Sequence, residues 1–204
     1  MPSIPRPILL PLTGALLMLA ATLLWRLGAS LDRRMLTALT LDPRDALMPL
    51  TLALTTLGGF SVLGPAALAA AGWLCWRRRT GDALWLFLAI GSGRLMVEGI
   101  KVILQRPRPP VGGRLAEVSS YSFPSSHSAG TMLTFLALAM LLPVNGRRLF
   151  APAIAFAMLI GWSRIALGVH WPSDVLAGWG FGLLWAGAAR YWLPARRPSV
   201  PTWG

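Results

Sequence analysis

The chain has 204 residues, of which 55% are hydrophobic and 13% are charged, with a mean hydropathy of +0.60. Because soluble domains contain about a quarter charged residues, this composition excludes an ordinary soluble domain and predicts one integral membrane domain over residues 1–204. The net charge is +12, but most arginines flank apolar segments and no separate basic domain remains, so we do not expect a nucleic-acid partner.

Six segments meet the requirement of about 20 mostly apolar residues for a transmembrane helix. In chain order they are Ile8–Trp25, Met48–Trp76, Ala83–Leu104, Ser126–Pro143, Leu149–Leu167 and Pro172–Leu193. The sequence therefore predicts an all-α membrane bundle of six transmembrane helices. We expect the first helix to be retained, because its apolar segment is longer than that of a usual signal peptide.

Glycines modify two of these segments. The second segment is long and contains Gly58-Gly59 and Gly64-Pro65, which predict a kink or a tilt. The sixth segment contains Gly178 and Gly182, whose spacing predicts that another helix approaches closely.

The distribution of arginines predicts that both chain ends face the cytoplasm. This orientation places residues 105–125 and the turn at Val169-His170 on the extracytoplasmic face of what we expect to be a bacterial inner membrane. The segment Leu31–Leu50 mixes charges with leucines and is expected to form an interfacial helix or a cap over this face. Residues 194–204 are rich in proline and are expected to form a flexible tail.

The only lysine of the chain and both of its histidines lie in three short polar segments. The segments contain Lys101 with Arg108-Pro109, then Pro124-Ser125-Ser126-His127, then Ser163-Arg164 with His170 and Asp174. Since 18 of the 19 basic residues are arginine, this concentration of the rare types is not expected by chance. The candidate chemistry therefore lies between residues 101 and 174.

Lys101 lies near the end of the third apolar segment, where a charge is costly. An ionisable residue at membrane depth is a candidate functional residue. Two alternatives remain open for Lys101. Its ammonium can extend to the lipid headgroups, or it can join a helical ion-pair network with Glu98 and Arg94.

Arg108 follows in a loop that is stiffened by Pro107, Pro109 and Pro110. A guanidinium held in place can bind two phosphate oxygens at once, whereas an ammonium acts as a point charge. Arg106 and Arg114 in the same loop are less specific, since contact with lipid phosphates is enough to explain them.

Ser125-Ser126-His127 opens the fourth apolar segment. Serine is a favoured N-cap, and the start of a helix offers free N–H groups and a positive dipole to an anion. His127 would then lie in the first turn beside that anion. The alternative is that His127 is only a polar residue at the membrane interface.

The third polar segment pairs a histidine with a carboxylate. Pro172 suits the first turn of the sixth helix, and Asp174 at that helix start can reach back toward His170. A carboxylate on one ring nitrogen fixes the tautomer and leaves the other nitrogen free to attack phosphorus. The alternative is a capping box of Ser173 and Asp174 that leaves His170 idle. A phosphate needs cations, helix-start N–H groups, a nucleophile and an acid, and the three segments offer a candidate for each on one membrane face.

Together, the three segments resemble the three motifs of the type 2 phosphatidic acid phosphatase superfamily. This superfamily also includes vanadium haloperoxidases and bacterial acid phosphatases, and its membrane members have six transmembrane helices. The resemblance covers residues 101–174, about a third of the chain. One residue departs from the pattern, because Ser126 stands where the family usually has glycine.

The resemblance implies a role for each motif residue. His170 would be the nucleophile that forms a phosphohistidine, Asp174 would orient it, and His127 would protonate the leaving oxygen and then activate water. The expected phosphate-binding residues are Lys101, Arg108, Ser125, Ser126 and Arg164. The family uses no metal ion, so neither a metal site nor a cofactor is expected.

These observations predict a membrane lipid phosphatase that removes the terminal phosphate of a lipid phosphate or pyrophosphate. Candidate substrates are undecaprenyl pyrophosphate, phosphatidylglycerol phosphate, phosphatidic acid and lipid A phosphates. One alternative is a phosphotransferase on the same scaffold, and another is a non-catalytic protein that binds or moves an anionic lipid. The sequence decides neither the lipid nor the oligomeric state.

Overall fold

The computed structural model describes residues 8–110, 112, 114–142 and 148–193. Over these residues the fold is all-α, without a β-strand. Its helices are α1 (Leu9–Leu27), α2 (Ala29–Leu39), α3 (Met48–Leu57), α4 (Phe60–Trp76), α5 (Thr80–Leu104), α6 (Ser126–Leu141), α7 (Phe150–Ala166) and α8 (Pro172–Ala189), with a 3₁₀ turn at Arg190–Trp192. The predicted tail at residues 194–204 lies outside the described residues.

Each of the six predicted apolar segments contains helix, but the second contains two helices. The chain bends by 45° between α3 and α4, at Gly58 and Gly59, which confirms the kink predicted there. Gly64 and Pro65 do not interrupt the helix, because both lie inside α4.

Fewer helices than predicted qualify as membrane spans by length and hydropathy. Among the described residues α1 qualifies, and α3 with α4 qualifies if the bent pair is one span. The helices α6 and α7 are apolar but have only 16 and 17 residues. Since α5 also carries Arg94, Glu98 and Lys101, the predicted count of six spans is not confirmed.

The helix α8 lies at the centre of the bundle and packs against α1, α6 and α7. Of its 18 residues, 13 are buried, among them four glycines. A Cβ atom at Gly178 would lie 2.7 Å from Ser128 Cβ, and one at Gly182 would lie 2.5 Å from Met132 Cβ. These glycines therefore allow the close approach of α6, as the spacing predicted. On another face, Gly180 gives the same access to Gly14 of α1.

The helix α1 shows the opposite pattern of burial. Only Gly14 and Ala21 of its 19 residues are buried, while leucines along its length are exposed, including Leu12, Leu16 and Leu19. An exposed apolar surface of this kind suits contact with lipid chains.

The helix α2 accounts for part of the predicted interfacial segment Leu31–Leu50. It packs across the ends of α7 and α8, and the Leu41 N–H that follows it donates to Ala166 O. Asp32 and Leu36 of α2 are buried. The segment therefore closes one end of the bundle, and this end contains the polar residues described next.

Candidate active site

The three polar segments meet at one end of the bundle. The helices α5 and α7 end there, and α6 and α8 begin there, so residues far apart in sequence become neighbours. Backbone hydrogen bonds fix the connections: Ser122 N–H donates to Arg106 O, and Ser125 N–H donates to Asp174 O.

His170 is buried in the turn between α7 and α8. Its Nε2 lies 3.0 Å from a terminal nitrogen of Arg108, and its Nδ1 lies 3.4 Å from Asp174 Oδ2. A guanidinium only donates hydrogen bonds, so Nε2 must accept this one and cannot carry a proton. The proton therefore sits on Nδ1, which faces the carboxylate.

The surroundings of His170 keep its imidazole neutral. Burial lowers the pKa of His170 well below its usual value, and the nearby charges of Arg108, Arg164 and Lys101 lower this pKa further. A neutral ring with an unprotonated Nε2 is the form of histidine that can act as a nucleophile.

Asp174 makes two kinds of contact that the sequence presented as alternatives. Its Oδ2 accepts from the Trp171 N–H at 2.9 Å, which caps α8, and the same oxygen faces His170 Nδ1. Ser122 Oγ also donates to Oδ2 at 2.5 Å. The carboxylate is therefore held in place by the helix start and by the loop while it contacts the histidine.

Three cations that the sequence assigned to phosphate lie near His170. Lys101 Nζ donates to Ser120 Oγ and Tyr121 O, each at 3.1 Å. Arg108 donates through Nε to Ser120 O at 2.6 Å. Burial lowers the pKa of Arg108 to about 10, which leaves it charged at neutral pH.

Arg164 lies in the last turn of α7 and is also buried. One terminal nitrogen donates to Thr55 Oγ1 of α3 at 2.5 Å, whereas its buried Nε has no hydrogen-bond partner among the described residues. A buried N–H without an acceptor is costly, so Arg164 retains a donor that an anion can satisfy.

Of the helical network of Lys101, Glu98 and Arg94 that the sequence left open, the Arg94–Glu98 pair is formed, but no ion pair joins Lys101 to Glu98 in the described part of the chain. Glu98 instead lies 3.4 Å from Arg94 and accepts from Ser126 Oγ at 2.9 Å. The hydroxyl of Ser126 is thus directed to α5.

Ser125 is the N-cap of α6, as predicted, and its Oγ accepts from the Ser128 N–H at 3.4 Å. His127 follows in the first turn and is half-buried. Its ring lies against the break between α3 and α4, because a Cβ at Gly59 would be 3.7 Å from His127 Nε2. The break therefore gives His127 room beside the helix start.

The structure corrects the expectation for Arg106, which does not lie at a lipid-facing surface. Arg106 is buried and forms ion pairs with Asp32 at 2.7 Å and Asp174 at 2.6 Å. The sequence analysis missed Asp32, Ser122 and Thr55. One signal was present for Asp32, which is the only acidic residue of α2.

Two cavities adjoin these residues. A solvent-facing cleft of about 490 Å³ is lined by charged residues and by the loop at Ser119–Tyr121; the charged residues are Glu98, Lys101, Arg106, Arg108 and Arg114. An apolar crevice between α4, α5 and α6 has Arg94 and Ser126 on its lining. Its apolar lining includes Leu63, Ile90, Leu133 and Phe181, with Gly130 between them.

An all-helical bundle with a buried histidine, a carboxylate and several cations at one end is suited to binding and transferring a phosphoryl group. The family model of the PAP2 superfamily matches residues 82–198. The chain belongs to this superfamily, which confirms the resemblance drawn from the three motifs.

Several relatives cover much of the chain. Phosphatidylglycerophosphatase B of Bacillus subtilis (strain 168) is 31% identical over 175 residues, which are 82% of this chain and 86% of that protein. Decaprenylphosphoryl-5-phosphoribose phosphatase of Mycolicibacterium smegmatis is 33% identical over 124 residues, covering 56% of this chain and 62% of that protein.

A solved structure also resembles the fold. It is the crystal structure of the first transmembrane PAP2 type phosphatidylglycerolphosphate phosphatase from Bacillus subtilis, with a TM-score of 0.79 and 29% identity. The match covers 92% of this chain and 96% of that chain. These similarities support a membrane protein.

Proposed function

We propose that this protein is a membrane lipid phosphatase that hydrolyses the terminal phosphate of a lipid phosphate or lipid pyrophosphate. The observation that carries the proposal is the state of His170. Its ring is buried, neutral and held with Nε2 unprotonated, between the carboxylate of Asp174 and the cations that include Arg108. The relatives named as phosphatases of lipid phosphates support the same class of reaction.

The first step is attack by His170 Nε2 on the terminal phosphorus. The N–P bond forms while the bond from phosphorus to the lipid oxygen breaks, and His127 donates a proton to that oxygen. Arg108 now contacts Nε2 at 3.0 Å, so its N–H must move to a phosphate oxygen before the attack. The products of this step are a lipid alcohol or lipid monophosphate and a phosphohistidine.

The second step regenerates the enzyme. His127, now neutral, accepts a proton from water as the water oxygen attacks phosphorus and the N–P bond breaks. Inorganic phosphate leaves, and the electron pair returns to Nε2 of His170. Asp174 stabilises the charged ring through Nδ1 in the interval between the two steps.

The phosphate would be bound by the cations and by the helix start. Lys101, Arg108 and Arg164 would match the charge that develops on the transferring group, which makes a metal ion unnecessary in this proposal. Ser125 and the first N–H groups of α6 would add hydrogen bonds. Ser126 would contribute less than the others, because its hydroxyl donates to Glu98.

The two cavities suggest how a lipid would lie. Its headgroup would occupy the cleft beside Lys101 and Arg108, and one hydrocarbon chain would lie in the apolar crevice that reaches Ser126. Phosphatidylglycerol phosphate, undecaprenyl pyrophosphate and phosphatidic acid all combine such parts.

We further propose that α1, the bent pair α3–α4, and α5 to α8 form six transmembrane segments in a bacterial inner membrane. The alternating directions of α5 to α8 support this topology, since they place all motif residues at one end. The arginine cluster at Arg77, Arg78 and Arg79, between α4 and α5, lies at the end opposite to the site and would keep that end in the cytoplasm and the site outside.

The test is release of inorganic phosphate by purified protein in detergent with EDTA, against a panel of these lipids. We expect phosphate release to continue in the presence of EDTA and to be abolished in His170→Ala. The rates for the different lipids would rank them as substrates. His127→Ala should slow both steps, and Arg34→Ala, a change at an exposed site on α2, should match the wild type.

Other outcomes would change the proposal. Release that persists in His170→Ala would contradict the phosphohistidine mechanism. Phosphate transfer to an added lipid in place of water would identify a phosphotransferase. No turnover of any lipid, with specific binding of one, would favour a non-catalytic lipid-binding protein.

A further inference from the structure

Behind the proposed nucleophile lies a buried cluster of two carboxylates and one guanidinium. Arg106 donates through one terminal nitrogen to Asp174 Oδ1 at 2.6 Å and through the other to Asp32 Oδ2 at 2.7 Å. Each of the three side chains is at most 6% exposed. Arg106 is therefore shared between the carboxylate that contacts His170 and a second carboxylate from α2.

Aromatic rings enclose the guanidinium of Arg106. Its central carbon lies 4.9 Å from the ring centre of Trp25, 5.5 Å from that of Trp171 and 6.0 Å from that of Phe123. With two carboxylates at its edge and these rings around it, Arg106 is committed to the protein interior. Both Arg106 and Arg108 border the cleft. The difference lies in their partners, because Arg106 is paired with two carboxylates whereas Arg108 donates to neutral acceptors such as Ser120 O and Val169 O.

Asp32 also holds the start of α8. Its Oδ1 accepts from the Ser173 N–H at 3.0 Å, and its Oδ2 accepts from Ser173 Oγ at 2.5 Å. Ser173 precedes Asp174, so Asp32 acts on the backbone that carries the catalytic carboxylate. Asp32 lies before residues 82–198, outside the segment that matches the family model.

The charges of the cluster have a consequence for His170. A guanidinium paired with Asp174 alone would cancel its charge, and the neutral pair would stabilise a positive imidazole ring only weakly. With Asp32 present, the cluster of Asp32, Arg106 and Asp174 keeps one net negative charge. That charge lies next to the ring, which becomes positive when it is phosphorylated or protonated.

We propose that Asp32 and Arg106 are positioning residues for Asp174. Arg106 fixes the carboxylate, and Asp32 balances Arg106 so that the cluster faces His170 with a net negative charge. This inference rests on the proposed function only where activity is the readout, since the charge effect on His170 exists without a substrate.

The proposal predicts opposite charge effects from two substitutions. Asp32→Asn removes a negative charge, makes protonated His170 less stable and should move its titration to lower pH. Arg106→Gln removes a positive charge and should move the titration to higher pH. The other charged or titratable groups that face His170 remain in both variants: Lys101 on α5, His127 on α6, Arg164 on α7, Asp174 on α8 and Arg108 in the loop.

The experiment measures the pH dependence of kcat/KM for phosphate release, and titrates the ¹⁵N-labelled histidines by NMR in detergent. The chain has only two histidines, so a His127→Gln background assigns the His170 signal. We expect Asp32→Asn to lower kcat about 10- to 100-fold with KM within about twofold, as for groups that orient a reacting side chain through another. The acidic side of the pH profile of kcat/KM and the midpoint of the His170 titration should both move by about half a pH unit or more.

Controls separate charge from packing. Asp42→Asn makes the same chemical change at an exposed site between α2 and α3 and should behave as the wild type. Asp32→Glu should restore part of kcat, and the Asp32→Asn/Arg106→Gln double variant should titrate close to the wild type. If Asp32→Asn does not fold, the shift in Arg106→Gln and its reversal in the double variant decide the question.

A loss of kcat in both single variants without movement of the His170 titration would overturn the proposal and leave a merely structural role. Shifts of the same sign in the two variants would also overturn it. Failure of the proposed function would look different, because the wild type itself would then release no phosphate while the NMR shifts persisted.

Discussion

Arg106 and Arg108 stand two residues apart in one proline-rich loop, yet they serve opposite sides of His170. Arg106 is 5% exposed and is bound by two carboxylates. Arg108 is only partly buried, and its contacts in the described residues are neutral acceptors: Ser120, Tyr121, Val169 O and His170 Nε2.

The difference shows that partners, rather than residue type, decide what a cation does. A guanidinium that is neutralised by carboxylates and surrounded by aromatic rings contributes to structure and to the charge next to His170. A guanidinium that meets only neutral acceptors keeps its full charge for an incoming anion. The two sides of His170 can therefore be separated by experiment.

The largest effect should come from removing the cation on the carboxylate side. Arg106→Met leaves Asp32 and Asp174 buried without their counter-ion, and we expect a loss of about 3–5 kcal/mol in the free energy of unfolding. Unfolding by heat and by denaturant in detergent measures this. Arg34→Met, at an exposed position on α2, should change stability by less than about 0.5 kcal/mol. Equal stability of the two variants would show that the buried cluster is not needed for folding.

On the phosphate side, a change should affect catalysis and spare stability. Arg108→Gln keeps hydrogen-bond donors but removes the charge, and we expect a loss of about 2–4 kcal/mol of transition-state stabilisation. Single-turnover and steady-state kinetics of phosphate release measure it, together with thermal unfolding. An unchanged kcat/KM in this variant would show that Arg108 does not bind the phosphate.

The pH dependence probes the histidine between the two sides. Burial and the cations lower the pKa of His170, so it stays neutral at pH 7 and gains a proton only well below about 6.5. We expect kcat/KM to fall with pH on that acid limb, by about tenfold per pH unit.

The stability of the fold should also decrease at acidic pH. The unfolded chain binds a proton at this histidine near pH 6.5 while the folded chain does not, so the free energy of unfolding should decrease as the pH falls below that value. An activity that rises steadily from pH 7 to pH 5, with chemistry rate-limiting, would contradict a neutral nucleophile.

The smallest effect should come from the crevice beside the site. Gly130 lines it, and a Cβ there would meet only Leu63 at 3.9 Å, so Gly130→Leu fills the crevice with little clash. We expect KM for a long-chain lipid phosphate to rise about tenfold, roughly 1.4 kcal/mol. A short, water-soluble phosphate ester should be unaffected.

Gly72→Leu is the matched control, because a Cβ at Gly72 on α4 meets no atom within 4 Å. If Gly130→Leu left the KM for the long-chain substrate unchanged, the hydrocarbon chain would not bind in the crevice.

Much of the architecture could be predicted because it depends on local patterns. The apolar segments form helices, and the chain bends at Gly58-Gly59 between α3 and α4. Gly178 and Gly182 allow α6 to pack closely against α8. Ser125 became the N-cap of α6. Hydropathy, glycine content and helix capping act between residues within one or two helical turns, so their effects can be read directly from the sequence.

By itself, the sequence determined the helical class, the family and the residue types gathered at one end. The tertiary structure alone decided which arginine meets which acid. Asp32 and Arg106 are 74 residues apart and meet only because α2 folds across the start of α8. Ion-pair energies depend on separation and burial, and neither quantity is set until the chain has packed.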